Sequence, residues 1–148
     1  MDIYTYLKKD HRLINDLIEQ VLNSKSPTGR EEIFDEIKQE FLVHAETEQA
    51  TFYSAIKDED DTRENIEDAT DEHEDIKDIL RQLSKMSANN EKWLVLFGEL
   101  KQAIEHHVQD EETRIFDKAK EILSEHDANQ LALDMDRMKD EFLDRHAA

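Results

Sequence analysis

The chain repeats itself at helical spacing, and the repeated face carries ionisable side chains where apolar ones belong. The segment from Asp10 through His11, Ile14 and Ile18 to Gln20 matches the segment from Glu72 through His73, Ile76 and Leu80 to Gln82 at an offset of 62. A second pair of segments matches at an offset of 63. There Phe34, Ile37, Phe41, His44, Glu48 and Phe52 become Phe97, Leu100, Ile104, His107, Glu111 and Ile115. Steps of three and four residues trace one face of an α-helix. Four helices in two matched hairpins are therefore expected, related by an approximate two-fold.

Composition supports helices and little else. With 2 Gly and 1 Pro in 148 residues, the turns of a many-stranded β fold cannot be built. Gly29 and Gly98 are too far apart to form a phosphate-binding glycine loop. The chain has no Cys, which excludes disulfides, thiolate metal sites, iron–sulfur clusters and a cysteine nucleophile.

The periodic stretches place helices at about residues 3–23, 30–57, 63–86, 91–123 and 128–145. The first carries Tyr4, Leu7, His11, Ile14, Ile18 and Val21 on its stripe, and the last carries Leu131, Met135, Met138 and Phe142. Short loops join neighbours that run antiparallel. The expectation is an all-α, up-down four-helix bundle over about residues 3–123, with an additional C-terminal helix packed on it. We read the whole of 1–148 as a single domain. Met86, Met135, Met138 and Trp93 read as core filler.

Acidic residues number 38 and basic residues 19, a formal charge of −19. Most acidic positions fall off the stripes and read as a solvated outer face. Such a surface repels phosphate backbones and anionic lipid, so neither nucleic acid nor membrane is an expected partner. The first ten residues lack the apolar core of a signal peptide, and no run is long enough to span a bilayer. A cytoplasmic protein is expected.

His11, His44, Glu48, His73, His107 and Glu111 lie within otherwise apolar stripes. Burying such groups unpaired costs several kcal/mol each. Metal binding resolves that cost, since imidazole and carboxylate are both ligands. A single His-x-x-x-Glu is a weak signal. Two of them in matched register, with one more His on each partner helix at matched positions, are a strong one. The i, i+4 spacing puts His and Glu on one face. Two His per hairpin can serve one ion each, and a carboxylate from each hairpin can bridge two ions about 3.5–4 Å apart. Such ligands suit iron, and also manganese or zinc. His106 with Asp110 has the same spacing, but the apolar register of Ile104 and Ile115 favours His107. His126 and His146 read as surface residues. Asp10 and Glu72 precede matched histidines and are taken as solvated charges rather than acceptors for ligand N–H groups.

His11 in Asp-His-x-x-Ile, the stretch from His44 to Glu48, Phe52 and Tyr53, Glu72-His73-x-x-Ile, and the stretch from His107 to Glu111, Ile115 and Phe116 together resemble the hemerythrin-like, or HHE cation-binding, family. The resemblance implies a non-haem di-iron centre inside a four-helix bundle. It places His11 and His44 on one iron, His73 and His107 on the other, Glu48 and Glu111 between them, and an oxo or hydroxo bridge completing the pair. Oxygen carriers of the family use a fifth His on the third helix, one turn from its partner. Ala69 and Lys77 occupy those positions here. Tyr4, two turns before His11, reads as core because its repeat mate is Ile66. The cysteine-bearing module of relatives that repair iron–sulfur clusters is not expected, and neither is a fused signalling domain.

The missing His leaves more open positions on the metal, which favours turnover over reversible storage. The first expectation is nonetheless a protein that binds O₂ or a related small molecule for sensing, buffering or storage. An enzyme acting on peroxide or NO in stress defence, a labile iron store, and a structural bundle that picks up zinc are the alternatives.

Overall fold

The computed structural model describes residues 1–146, with side chains to Arg145. The described residues are helical with no strand, as the repeat predicts. Helix α1 spans Ile3–Asn23. Helix α2 covers 27–56: an α-helical part, Pro27–Glu48, a π-helical turn, Gln49–Tyr53, and a last turn, Ser54–Ile56. Helix α3 spans Arg63–Ser84. Helix α4 covers 91–122 in the same three-part way: Glu91–Asp110, the π-helical turn Glu111–Ile115, and Phe116–Ile122. Helix α5 spans Glu125–His146.

Local chemistry sets the starts. The Asp2 carboxylate accepts from the Thr5 amide at 2.8 Å and caps α1. Ser26 caps α2 by accepting from Gly29, and Pro27 takes the first helical position, three residues before the start expected from periodicity. Asn90 caps α4 by accepting from Lys92 at 2.9 Å. At the α3–α4 turn, the Trp93 indole donates to the Leu83 carbonyl at 3.2 Å, tying the buried Trp to the end of α3. Helix α5 begins three residues earlier than expected.

α1 packs along α2 and α3 along α4, while α5 lies across the α1–α2 hairpin. The apolar interior forms two bodies. One holds Ile14, Ile18, Phe34, Phe41, Leu80, Trp93, Phe97 and Ile104. The other holds Ile3, Leu7, Phe52, Ile56, Ile66, Ile115, Phe116 and Met135. His11, His44, Glu48, His73, His107 and Glu111 are all buried, and on every helix they fall between residues of the first body and residues of the second. The bundle thus carries a polar layer sealed between two apolar ones.

The π-helical turns are a departure from the continuous α-helices expected. Each begins at, or directly after, the glutamate of the polar layer. Successive residues of a regular α-helix point about 100° apart, so a buried neighbouring pair marks a broad inward face. Here Phe52 and Tyr53 are both buried, and so are Ile115 and Phe116. In the first turn, the Ser54 hydroxyl donates to the Gln49 carbonyl at 2.8 Å, satisfying an acceptor that the widened turn loosens.

Candidate metal centre

Each of the four buried histidines has its Nδ1 committed outward. His44 donates to Asp10 at 2.8 Å and His107 to Glu72 at 2.8 Å. His11 donates to Glu112 at 2.6 Å and His73 to the Gln49 side-chain oxygen at 2.8 Å. These four pairs obey the repeat: the first two are mates, and so are the second two. With the hydrogen on Nδ1, it is the Nε2 of each neutral ring that carries the lone pair, and Nε2 points into the bundle.

All four Nε2 atoms are buried and make no hydrogen bond, and neither do both oxygens of Glu48 or Oε1 of Glu111. An orphaned buried polar atom costs about 1–3 kcal/mol. The atoms converge. His11 Nε2 lies 3.2 Å from Glu111 Oε1, and His107 Nε2 lies 3.6 Å from Glu111 Oε2. Glu48 Oε1 lies 3.5 Å from His44 Nε2 and 3.2 Å from His73 Nε2. Each glutamate therefore reaches a histidine from both hairpins. His11, His44, Glu48 and Glu111 offer atoms all within 4.8 Å of one another, and Glu48, His73 and His107 do the same. The two groups share Glu48. These residues fit a metal ion on the chemistry of the donor set: imidazole nitrogens, which become ligands on losing a proton, and carboxylate oxygens converge on one another.

Without metal the layer stores protons. Burial pushes the His11 imidazole down, but Glu111 and Glu112 outweigh it and raise it to about 9. Burial likewise opposes the charge on His44, yet Glu48 and Asp10 raise it to about 10. His73 goes the other way: burial dominates over the single Glu48 contact and lowers it to about 4. Burial also works against Glu48, but the charge on His44 and the closeness of the His44 and His73 nitrogens hold it well below the carboxylate range. Glu111 is raised, by burial and by the neighbouring Glu48 charge. Two buried carboxylates facing each other do not ionise equally.

Several partners were not legible from spacing. Asp10 and Glu72 are half-buried acceptors for His44 and His107, not solvated charges; each precedes a histidine on its own helix and faces one on the adjacent helix of its hairpin. Glu112 and Gln49, each directly following a glutamate of the layer, take the same part for His11 and His73. Their repeat offset of 63 is the signal that could have paired them. Tyr53 donates its hydroxyl hydrogen to Glu111 and stacks on His73, with ring centres 5.5 Å apart and planes 14° off parallel. Its repeat mate, Phe116, has no hydroxyl. Tyr4 sits among Phe52 and Phe116, at 5.9 and 5.1 Å between ring centres, and belongs to no metal-ligating group.

Ala69 is buried in the apolar body and Lys77 pairs with Glu74 at 3.2 Å, so neither offers a ligand in place of a fifth His. His106 points to solvent, with 76% of its side chain exposed, and comes within 3.4 Å of Glu72 from outside. His126 is exposed, and the His146 side chain lies outside the described residues.

The fold and this layer define a helical-bundle protein with a buried His/Glu cluster suited to metal ions. The hemerythrin HHE cation binding domain matches residues 2–119, and the chain belongs to that family. Over 96% of its length it superposes on 87% of the crystal structure of an HHE cation binding domain-containing protein from Mycobacterium kansasii, with a TM-score of 0.82 and 22% identity. It is 26% identical over 148 residues to a protein of Nostoc sp. strain PCC 7120 described as a DNA nickase, spanning 98% of this chain and 41% of that one. The match thus covers less than half of the Nostoc protein.

Proposed function

We propose that the chain holds a pair of iron ions in this layer and uses them to bind O₂ or a related small molecule, for sensing, buffering or storage. The observation that carries this reading is the sharing of Glu48 between two groups of hydrogen-bond-free ligand atoms. In it, His11 and His44 hold one ion, His73 and His107 the other, and Glu48 and Glu111 lie across both. An iron pair supplies reversible electron transfer and open positions for a small ligand. The chain supplies the rest. Asp10, Glu72, Glu112 and Gln49 fix the imidazoles, and the Tyr4, Phe52 and Phe116 rings keep water from one side of the layer. A surface cleft of about 210 Å³ between α1 and α4, lined by His11, Ile104, Val108 and Glu112 among others, is the approach we assign to a small molecule.

The Tyr53 hydroxyl favours a second reading, an enzyme acting on peroxide or NO. It puts a proton donor against Glu111, inside the layer. We assign the chain no nucleic-acid partner despite the name of the Nostoc relative, because a net charge of −19 repels phosphate. Among the described residues no helix is long and apolar enough to cross a membrane, and we place the protein in the cytoplasm.

The test is metal content per chain after aerobic purification, with the visible spectrum recorded before reduction, after it and on return to air. Two irons with absorption that bleaches and recovers support O₂ binding. Steady consumption of peroxide by the iron-loaded protein supports the enzyme. Zinc or manganese alone, or no iron after anaerobic loading, overturns both.

A further inference from the structure

The repeat makes the His44–Asp10 and His107–Glu72 pairs equivalent, yet their surroundings differ. Asp10 Oδ2 accepts from His44 Nδ1 at 2.8 Å and, on the same oxygen, from Lys139 Nζ at 2.5 Å. Lys139 belongs to α5, which lies beyond the residues that match the family. It is largely buried, with 15% of its side chain exposed, and its ammonium sits 4.6 Å from the centre of the Tyr6 ring. Glu72, the mate of Asp10, has no lysine; it meets the exposed His106 at 3.4 Å. The difference follows from the packing: α5 covers the α1–α2 hairpin, which carries Asp10 and His44. Beside this contact a cleft of about 390 Å³, lined by Tyr6, Asp10, Ala132 and Asp136 among others, opens toward Asp10. A carboxylate at such an opening has water to turn to unless something holds it.

From these contacts we infer that Lys139 is a positioning residue of the metal centre: it holds Asp10 against His44, so that the C-terminal helix secures the ion on the His11–His44 side and leaves the other ion to its own hairpin. This rests on the dimetal reading above. A partner that orients a ligand histidine typically changes metal affinity 10- to 100-fold. Lys139 acts one contact further out, so the lower end, about tenfold, is the expected loss at one ion.

The experiment loads the full chain anaerobically with ferrous iron and challenges it with a competing chelator. At a chelator concentration where the wild type keeps two ions, K139M should keep one and K139R two, because a guanidinium restores the charge and the donors. Y6F is the control for helix docking. It removes the Tyr6 hydroxyl that donates to Asp136 of α5 at 2.9 Å but keeps the ring beneath Lys139, and it should keep two ions. Two ions in K139M overturn the inference, and so do none. One ion in both K139M and Y6F also overturns it, by making Lys139 one docking contact among others. A wild type that takes up fewer than two ions at any chelator concentration overturns the dimetal reading and this inference with it.

Discussion

The Tyr53 hydroxyl donates to Glu111 across the bundle, from the α1–α2 hairpin to a carboxylate of the α3–α4 hairpin. Phe116, at the matching position of the other hairpin, returns no such bond, so the hydroxyl makes the two glutamates inequivalent. Burial and the two nearby carboxylates push the Tyr53 phenol well above its ordinary range, and it stays a donor at any working pH. Tyr53→Phe keeps the ring and its stacking on His73 while removing the donor. The expected outcome is a protein that still holds its metal, with a shifted reduction potential and altered visible absorption. Metal loss from this variant would make the hydroxyl a holder of the ion rather than a support for Glu111.

Glu48 lies in both groups of ligand atoms, and Glu111 reaches His11 and His107 with different oxygens. Glu48→Ala and Glu111→Ala are each expected to lose both ions together, measured as metal per chain after gel filtration. A full pair retained in either variant would remove that glutamate from its place between the ions.

His106 and His107 are neighbours with opposite environments, one largely exposed and one buried in the layer. His106→Ala should keep the full metal content, whereas His107→Ala should lose at least one ion. The same metal assay separates them, and the reverse result would place the wrong histidine in the site.

Metal uptake should release protons. In the metal-free layer His11 and His44 are raised to about 9 and 10, by Glu111 and Glu112 and by Glu48 and Asp10 acting against burial. Both are therefore protonated at neutral pH, and a ligand nitrogen must be free. Loading at pH 7 in weak buffer should acidify the solution, and metal affinity should climb with pH until those values are passed. For the metal-free fold the sign is opposite. Histidines whose folded pKa is raised stabilise fully below about 6.5. That stabilisation is lost as pH rises through about 9 and 10, so the metal-free melting temperature should fall there. A flat melting temperature across that range would contradict the assignment.

Gln49 gives His73 an amide acceptor where His11 has the Glu112 carboxylate. Burial holds His73 down to about 4. Gln49→Glu should raise it in the metal-free protein, toward the behaviour of His11, because a carboxylate beside Nδ1 favours the imidazolium. A proton NMR titration of the His73 ring checks this, and an unmoved His73 would show that burial alone sets its value.

What the sequence determined, by itself, was periodic. Spacings of three and four gave the number and order of helices, the face each one buries, and the six ionisable residues on those faces, because a helix's own geometry converts spacing into direction. The offsets of 62 and 63 even paired the hairpins. What only the tertiary structure decided lies between helices. Asp10 could be read as a surface charge because nothing in its own helix shows His44 opposite it or Lys139 arriving from α5. The π-helical turns at Glu48 and Glu111 are not written in the steps of three and four, and in the first of them Tyr53 is buried beside Phe52. Which carboxylate supports which histidine depends on packing across helices, and packing across helices leaves no period in a single chain.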